Sequence, residues 1–273
     1  MLSLDAPVIA VLWLLLFSRA LGVRVPRAET AVLAMAVWLI YVADRVLDSF
    51  RESERKPLAL RHRFYREYRA AFVAPFCAIL LLAAWIAWTR LDEHTLRAGV
   101  VLSAMVVAYL GVVHLSGGRA QHWFPKELAV AILFCAGTCL PAVARIGEPS
   151  SPEVATFVAF VLIAWMNTAL IEYAEWATLG ERGPEPPAAL TTAVARGAVP
   201  LGIAISVFVL AAALAADFRA LRPVLLAEAA SALALATLGA SWPRISSYVL
   251  RISTDAVLCT PAVILVLFEA SHH

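Results

Sequence analysis

Charge is what this sequence has least of. Of its 273 residues only 15% are Asp, Glu, Lys or Arg, while 62% are hydrophobic. Soluble domains carry about 25% charged and roughly 45–50% apolar residues, so the chain lacks the polar surface to cover a globule in water. Gly, Pro and Cys are also modest, at 12, 15 and 4, which excludes fibrous, disordered and disulfide-framework classes. The net charge of +2 gives no reason to expect a nucleic-acid partner. Cys77, Cys135, Cys139 and Cys259 form no CxxC pair and all lie in apolar stretches, so they read as small packing residues. A polytopic membrane protein remains, and no soluble segment is long enough to suggest an obligate protein partner.

What is present in abundance is apolar runs of membrane length. A helix needs roughly 17–25 mostly apolar residues to cross a bilayer. Nine runs meet that length, at about 6–23, 28–46, 70–88, 96–114, 127–145, 154–172, 197–216, 222–240 and 250–268. The fold class expected is therefore an all-α membrane protein of nine transmembrane helices, a single polytopic domain over 1–273. The first run has no basic segment before it, with Arg19, Arg24 and Arg27 following instead, so it reads as a helix and not a leader.

With nine spans, 14 of the 22 Lys and Arg fall on the side of the N-terminus and 8 on the other. Basic loops stay inside, which places the N-terminus and the long loops in the cytoplasm and the C-terminus outside. Chemistry is expected on those long loops.

The charged residues near span ends are the candidates for function. Asp44-Arg45-Val46-Leu47-Asp48 closes the second run. Asp44 and Asp48, at i and i+4, share one helix face and suit Mg²⁺, which binds through one or two carboxylates plus substrate phosphates; the plainer reading pairs them with neighbouring arginines. The next loop holds Arg61, Arg63, Arg66 and Arg69 among aromatics. Most of these read as a basic interface lying on lipid headgroups, with Arg61 and Arg63 kept as diphosphate candidates. Pro125 sets Lys126 at the mouth of the fifth run, either to neutralise a phosphate or to mark the inner edge. The sixth run ends in Asn167, Glu172 and Glu175. Such residues serve equally as helix–helix glue or a solvated end, but two acidic helix ends four spans apart fall on one membrane face.

That arrangement resembles the UbiA superfamily of intramembrane prenyltransferases. In the family's first motif the last two acids match Asp44 and Asp48, with Ile40 and Tyr41 in the earlier Asn and Asp positions; in its second, Thr168 and Ile171 stand where aspartates are expected and Glu175 meets the final acid. Lys126 and the stretch Arg251-Ile252-Ser253-Thr254-Asp255 are similar too. The resemblance implies two four-helix halves and a ninth helix around a central cavity. It implies transfer of an isoprenyl group from its diphosphate to a lipophilic acceptor, with Mg²⁺ held by Asp44, Asp48, Glu172 and Glu175. It also implies substrate contacts from Arg45, Arg61, Arg63, Lys126, Asn167 and Asp255. The incomplete acidic motifs leave a second reading, a non-catalytic membrane protein that binds or carries a lipid diphosphate.

Overall fold

The computed structural model describes residues 4–51, 69–115, 125–179 and 186–270. Among them every regular element is a helix and none is a strand. In chain order they are α1 (Asp5–Ala20), α2 (Arg27–Arg51), α3 (Arg69–Arg90), α4 (Glu93–Leu115), α5 (Lys126–Val143), α6 (Ser151–Leu179), α7 (Ala189–Arg196), α8 (Ala198–Leu214), α9 (Arg222–Ser241), α10 (Ser247–Val257) and α11 (Thr260–Ala270). Short 3₁₀ turns, Ala216–Leu221 and Trp242–Arg244, flank α9.

Local chemistry explains where these helices start and stop. α1 carries Asp5 in its first turn and Arg19 in its last, each opposing the macrodipole. It ends because Gly22 takes a φ of +67°, a left-handed stop open to glycine, with its amide bonded to the Arg19 carbonyl at 3.1 Å. α4 is started by Asp92, whose Oδ1 accepts the Thr95 amide at 2.9 Å and whose Oδ2 accepts the Thr95 hydroxyl at 2.8 Å. Those two bonds, ahead of the nearby Arg145, hold the Asp92 carboxyl below its ordinary range. α6 opens with the Glu153 carboxylate reaching back to Ser150, whose amide and hydroxyl donate to it at 2.6 and 2.9 Å, the half of a capping box that satisfies the cap residue's own amide.

Among the described residues, seven segments are long and apolar enough to cross a membrane, and eight if the bent pair α7–α8 counts as one. The chain is thus an all-α, multi-pass membrane protein. Two of the nine expected runs behave differently. α1 has 16 residues, about 24 Å at 1.5 Å per residue, short of the roughly 30 Å hydrocarbon core. The run 197–216 yields the 17-residue α8, which reaches span length only together with α7, bent from it by 73° at Gly197. The last run is broken too, between α10 and α11 at Leu258–Cys259, just ahead of Pro261.

The core is aromatic at its centre. Trp13 of α1 stacks on Phe160 of α6 with ring centroids 4.3 Å apart, and Phe17, Phe134 and Phe157 pack around them. The Trp13 indole N–H donates to the Leu258 carbonyl at 2.9 Å, satisfying a backbone group freed by the α10–α11 break. α8 and α9 approach closely through small residues. A Cβ on Gly202 would lie 2.6 Å from the Ala232 carbonyl, and one on Gly239 would lie 2.8 Å from the Ala198 Cβ. Small residues at helix contacts are the usual membrane solution, because lipid gives no hydrophobic drive to association. The Ser206 hydroxyl adds a 3.1 Å bond to the Ala229 carbonyl.

Candidate functional site

Antiparallel packing brings polar ends of seven helices to one end of the bundle: the start of α1, the ends of α2, α4 and α6, the start of α5, and α7 and α10. Nearly every candidate side chain that is described lies in this layer.

On α2, Tyr41 and Arg45 are one turn apart. Arg45 Nη2 donates to Tyr41 Oη at 3.1 Å, and its guanidinium sits 4.8 Å from the Tyr41 ring centroid. The same phenol oxygen accepts from Arg251 Nη2 of α10, while Arg251 Nη1 donates to Glu175 Oε1 of α6 at 3.2 Å. Two guanidinium groups from different helices therefore meet at one oxygen, and through Arg251 the ends of α2 and α6 are joined. Like charges repel, so this spot favours an anion.

Asp44 shares the end of α2. Its Oδ1 lies 3.9 Å from His114 Nε2 of α4, and His114 Nδ1 is 3.0 Å from the Leu110 carbonyl. Asp48 stands one helical turn beyond Asp44 on the α2 backbone, with its side chain outside the described residues. Arg61 and Arg63 also lie outside them.

Lys126, first residue of α5, has its Nζ 2.9 Å from Glu172 Oε1 and 3.9 Å from Glu127 Oε1. Glu127 is buried, and its Oε2 accepts the Thr191 hydroxyl of α7 at 2.6 Å. Asn167, buried on α6, donates to Asp255 Oδ1 at 3.4 Å.

The structure thus gathers Asp44, Arg45, Lys126, Asn167, Glu172, Glu175 and Asp255 into one layer. It separates the acids, since Glu172 and Glu175 are each held by a cation from another helix. Among the described residues, no three His, Cys, Asp or Glu side chains converge where a metal ion would sit. The sequence assigns no site role to Glu127 or Asp5, places Tyr41 only where the resembled motif has an acid, offers His114 only a poorly spaced zinc pairing with His122, and includes Arg251 only in a similar stretch. The available signal was i, i+4 spacing: Tyr41 precedes Arg45 and Arg251 precedes Asp255 by one turn.

A separate aromatic corner flanks the layer. Arg196 Nε donates to Tyr173 Oη at 3.1 Å, and Trp242 meets the Tyr173 ring edge-on at 5.5 Å. At the opposite end of the bundle, Arg145 grips Glu29 with two bonds of 2.7 and 2.5 Å and reaches Asp92 at 3.4 Å. Compared with known proteins, the chain matches no family model, no curated protein and no solved structure.

Proposed function

We propose that this chain is an intramembrane prenyltransferase of UbiA type. It moves an isoprenyl group from its diphosphate to an aromatic or lipid-like acceptor, at the membrane face that carries the N-terminus. The uneven placement of Lys and Arg makes that face cytoplasmic. The single observation that carries this reading is the meeting of Arg45 and Arg251 on Tyr41 Oη beside Asp44, with Lys126 in the same layer. An oxygen-rich dianion is the ligand such forks and ammonium groups accept.

Magnesium fits the donor chemistry. Asp44 and Asp48 offer hard carboxylate oxygens from one helix end, and Mg²⁺ commonly takes one or two carboxylates plus substrate phosphates; a three-acid cluster formed in advance is unnecessary. Bound there, Mg²⁺ would supply Lewis-acid neutralisation of the diphosphate. The chain's own residues do the rest. Lys126 and Arg251 exchange Glu172 and Glu175 for phosphate oxygens, and Arg45 adds a guanidinium to the leaving group. Charge held there favours breaking of the allylic C–O bond. The apolar interior below receives the isoprenyl tail and excludes water that would quench the electron-poor carbon.

A second reading shares the ligand and omits the reaction: a protein that binds or carries a lipid diphosphate. The ion pairs that already occupy Glu172 and Glu175 favour it, because they leave fewer acids for metal. One experiment tests both. Detergent-purified protein is heated with geranylgeranyl diphosphate, with and without Mg²⁺, as wild type and as Asp44→Asn. Protection that needs the metal and Asp44 supports the transferase, and protection indifferent to both supports the carrier. No protection across several prenyl lengths rejects the diphosphate site.

A further inference from the structure

Glu228 is the most anomalous side chain in the molecule. It lies on α9, 13 residues before Ser241, about 20 Å along the helix from the polar layer at 1.5 Å per residue. It is fully buried, and neither carboxyl oxygen has a hydrogen-bond partner among the described residues. Among the described residues no hydrogen bond or ion pair reaches it. Of the helices packed on α9, α8 offers Ser206, bonded to the Ala229 carbonyl at 3.1 Å, and α11 offers Thr260, whose hydroxyl is turned to the Ala227 carbonyl at 3.3 Å. Of the charged residues on the packed elements, Arg251 is taken up by Glu175 and Arg222, at the start of α9, by the Ala213 carbonyl; Asp217, Arg219 and Arg244 on the flanking 3₁₀ turns make no bond to the carboxyl. The free thiols of Cys135 and Cys139 on α5 are buried in the same core. Between them, on the same inward face at i+3 and i+4 spacing, sits Thr138, whose hydroxyl is also buried without a partner.

A carboxylate in this setting would be a bare charge in a medium of low dielectric, one of the costliest arrangements a protein can hold. A carboxylic acid of identical shape is neutral and tolerable. We propose that Glu228 is a proton-binding site inside the membrane, occupied while the bundle is closed, whose emptying forces the helices around α9 apart. The step moves one proton from the Glu228 carboxyl to water and changes no other bond. Neutral thiols and hydroxyls in the surrounding core do not neutralise the charge so formed, so relief comes from admitting water or displacing α9. This site is independent of the diphosphate layer, and Asp44→Asn leaves it intact.

The test uses the full chain in detergent, as wild type and Glu228→Gln, the latter an isostere of the neutral acid. Thermal midpoints are measured from mildly acidic to strongly alkaline pH, alongside labelling of Cys135 and Cys139 by a membrane-permeant maleimide. The wild-type midpoint is expected to fall by roughly 10 °C at the alkaline end with the two thiols becoming more reactive than in Glu228→Gln, whose midpoint falls less. Parallel curves overturn the proposal. Should Glu228→Gln not fold, infrared spectra of wild type and Glu228→Asp at neutral pH decide. A protonated-carboxyl carbonyl band that shifts in the variant supports the site, and the absence of any such shift overturns it.

Discussion

The two ends of the bundle use the same chemistry to opposite effect. At one end Arg145 and Glu29 close on each other through two short parallel bonds, with Glu29 buried and Asp92 adding a third contact. Donors and acceptors match, and three helix ends are pinned. At the other end the partners are spread over more helices and the distances vary: Lys126 to Glu172 at 2.9 Å, Arg251 to Glu175 at 3.2 Å, Asn167 to Asp255 at 3.4 Å, His114 to Asp44 at 3.9 Å. Two arginines share one phenol oxygen. A fork that closes on both oxygens of one carboxylate is structural, whereas Arg251 divides its donors between Glu175 and the phenol oxygen that Arg45 also reaches.

Substitutions can break that contrast. Glu29→Ala strands the Arg145 guanidinium half-buried, and a loss of about 3–5 kcal/mol is expected, read as a lowered thermal midpoint with the response to diphosphate retained. Gly202→Val drives a side chain into the Ala232 carbonyl and is expected to cost about 1–3 kcal/mol; at Gly99, where a Cβ meets nothing within 4 Å, Gly99→Ala serves as the unaffected control. Arg251→Ala differs from Glu29→Ala in its ligand response: beyond the stability lost with its bonds to Glu175 and Tyr41, affinity for a prenyl diphosphate, followed by thermal shift, falls at least tenfold, equivalent to about 1.4 kcal/mol.

The smallest effect sharpens the comparison through pH. Because the Asp92 carboxyl is held below its ordinary range, the folded state binds the proton more weakly than the unfolded chain. Its contribution is therefore complete above the ordinary carboxylate range and lost as pH falls through the lowered value. Asp92→Ala should remove a cap worth about 1 kcal/mol and flatten that acid-side part of the stability curve.

How legible all this was in the sequence depended on distance along the chain. The run expected at 222–240 is α9 at Arg222–Ser241, because an apolar stretch with Pro223 in its first turn announces its own start. The expected end of the first run at 23 fails by three residues, since the left-handed turn at Gly22 is invisible to hydropathy. The last run mixes polar and apolar residues over 241–255, which marks it for a bend without placing the break at Leu258–Cys259; the short helix Ala189–Arg196 ahead of Gly197 lies outside every expected run, because its composition is not that of a span. The acidic ends of α2 and α6 were recognisable from their local pattern. Their connection was not, because Tyr41 and Arg251 are 210 positions apart, and no periodicity reports a contact between two such helices. Glu127 was passed over beside Lys126, although its bond to Thr191 spans 64 positions.

The bond from the Trp13 indole to the Leu258 carbonyl joins residues 245 apart. A ribosome emits α1 long before it makes the segment that α1 must meet. Until then Trp13, at the centre of the aromatic core, has its indole N–H unspent, and only the arrival of the α10–α11 break completes the packing. Contacts this far apart in sequence form late and slowly. A truncation before residue 258 would therefore leave α1 loosely held, and the closure of the bundle is tied to the synthesis of α10 and α11.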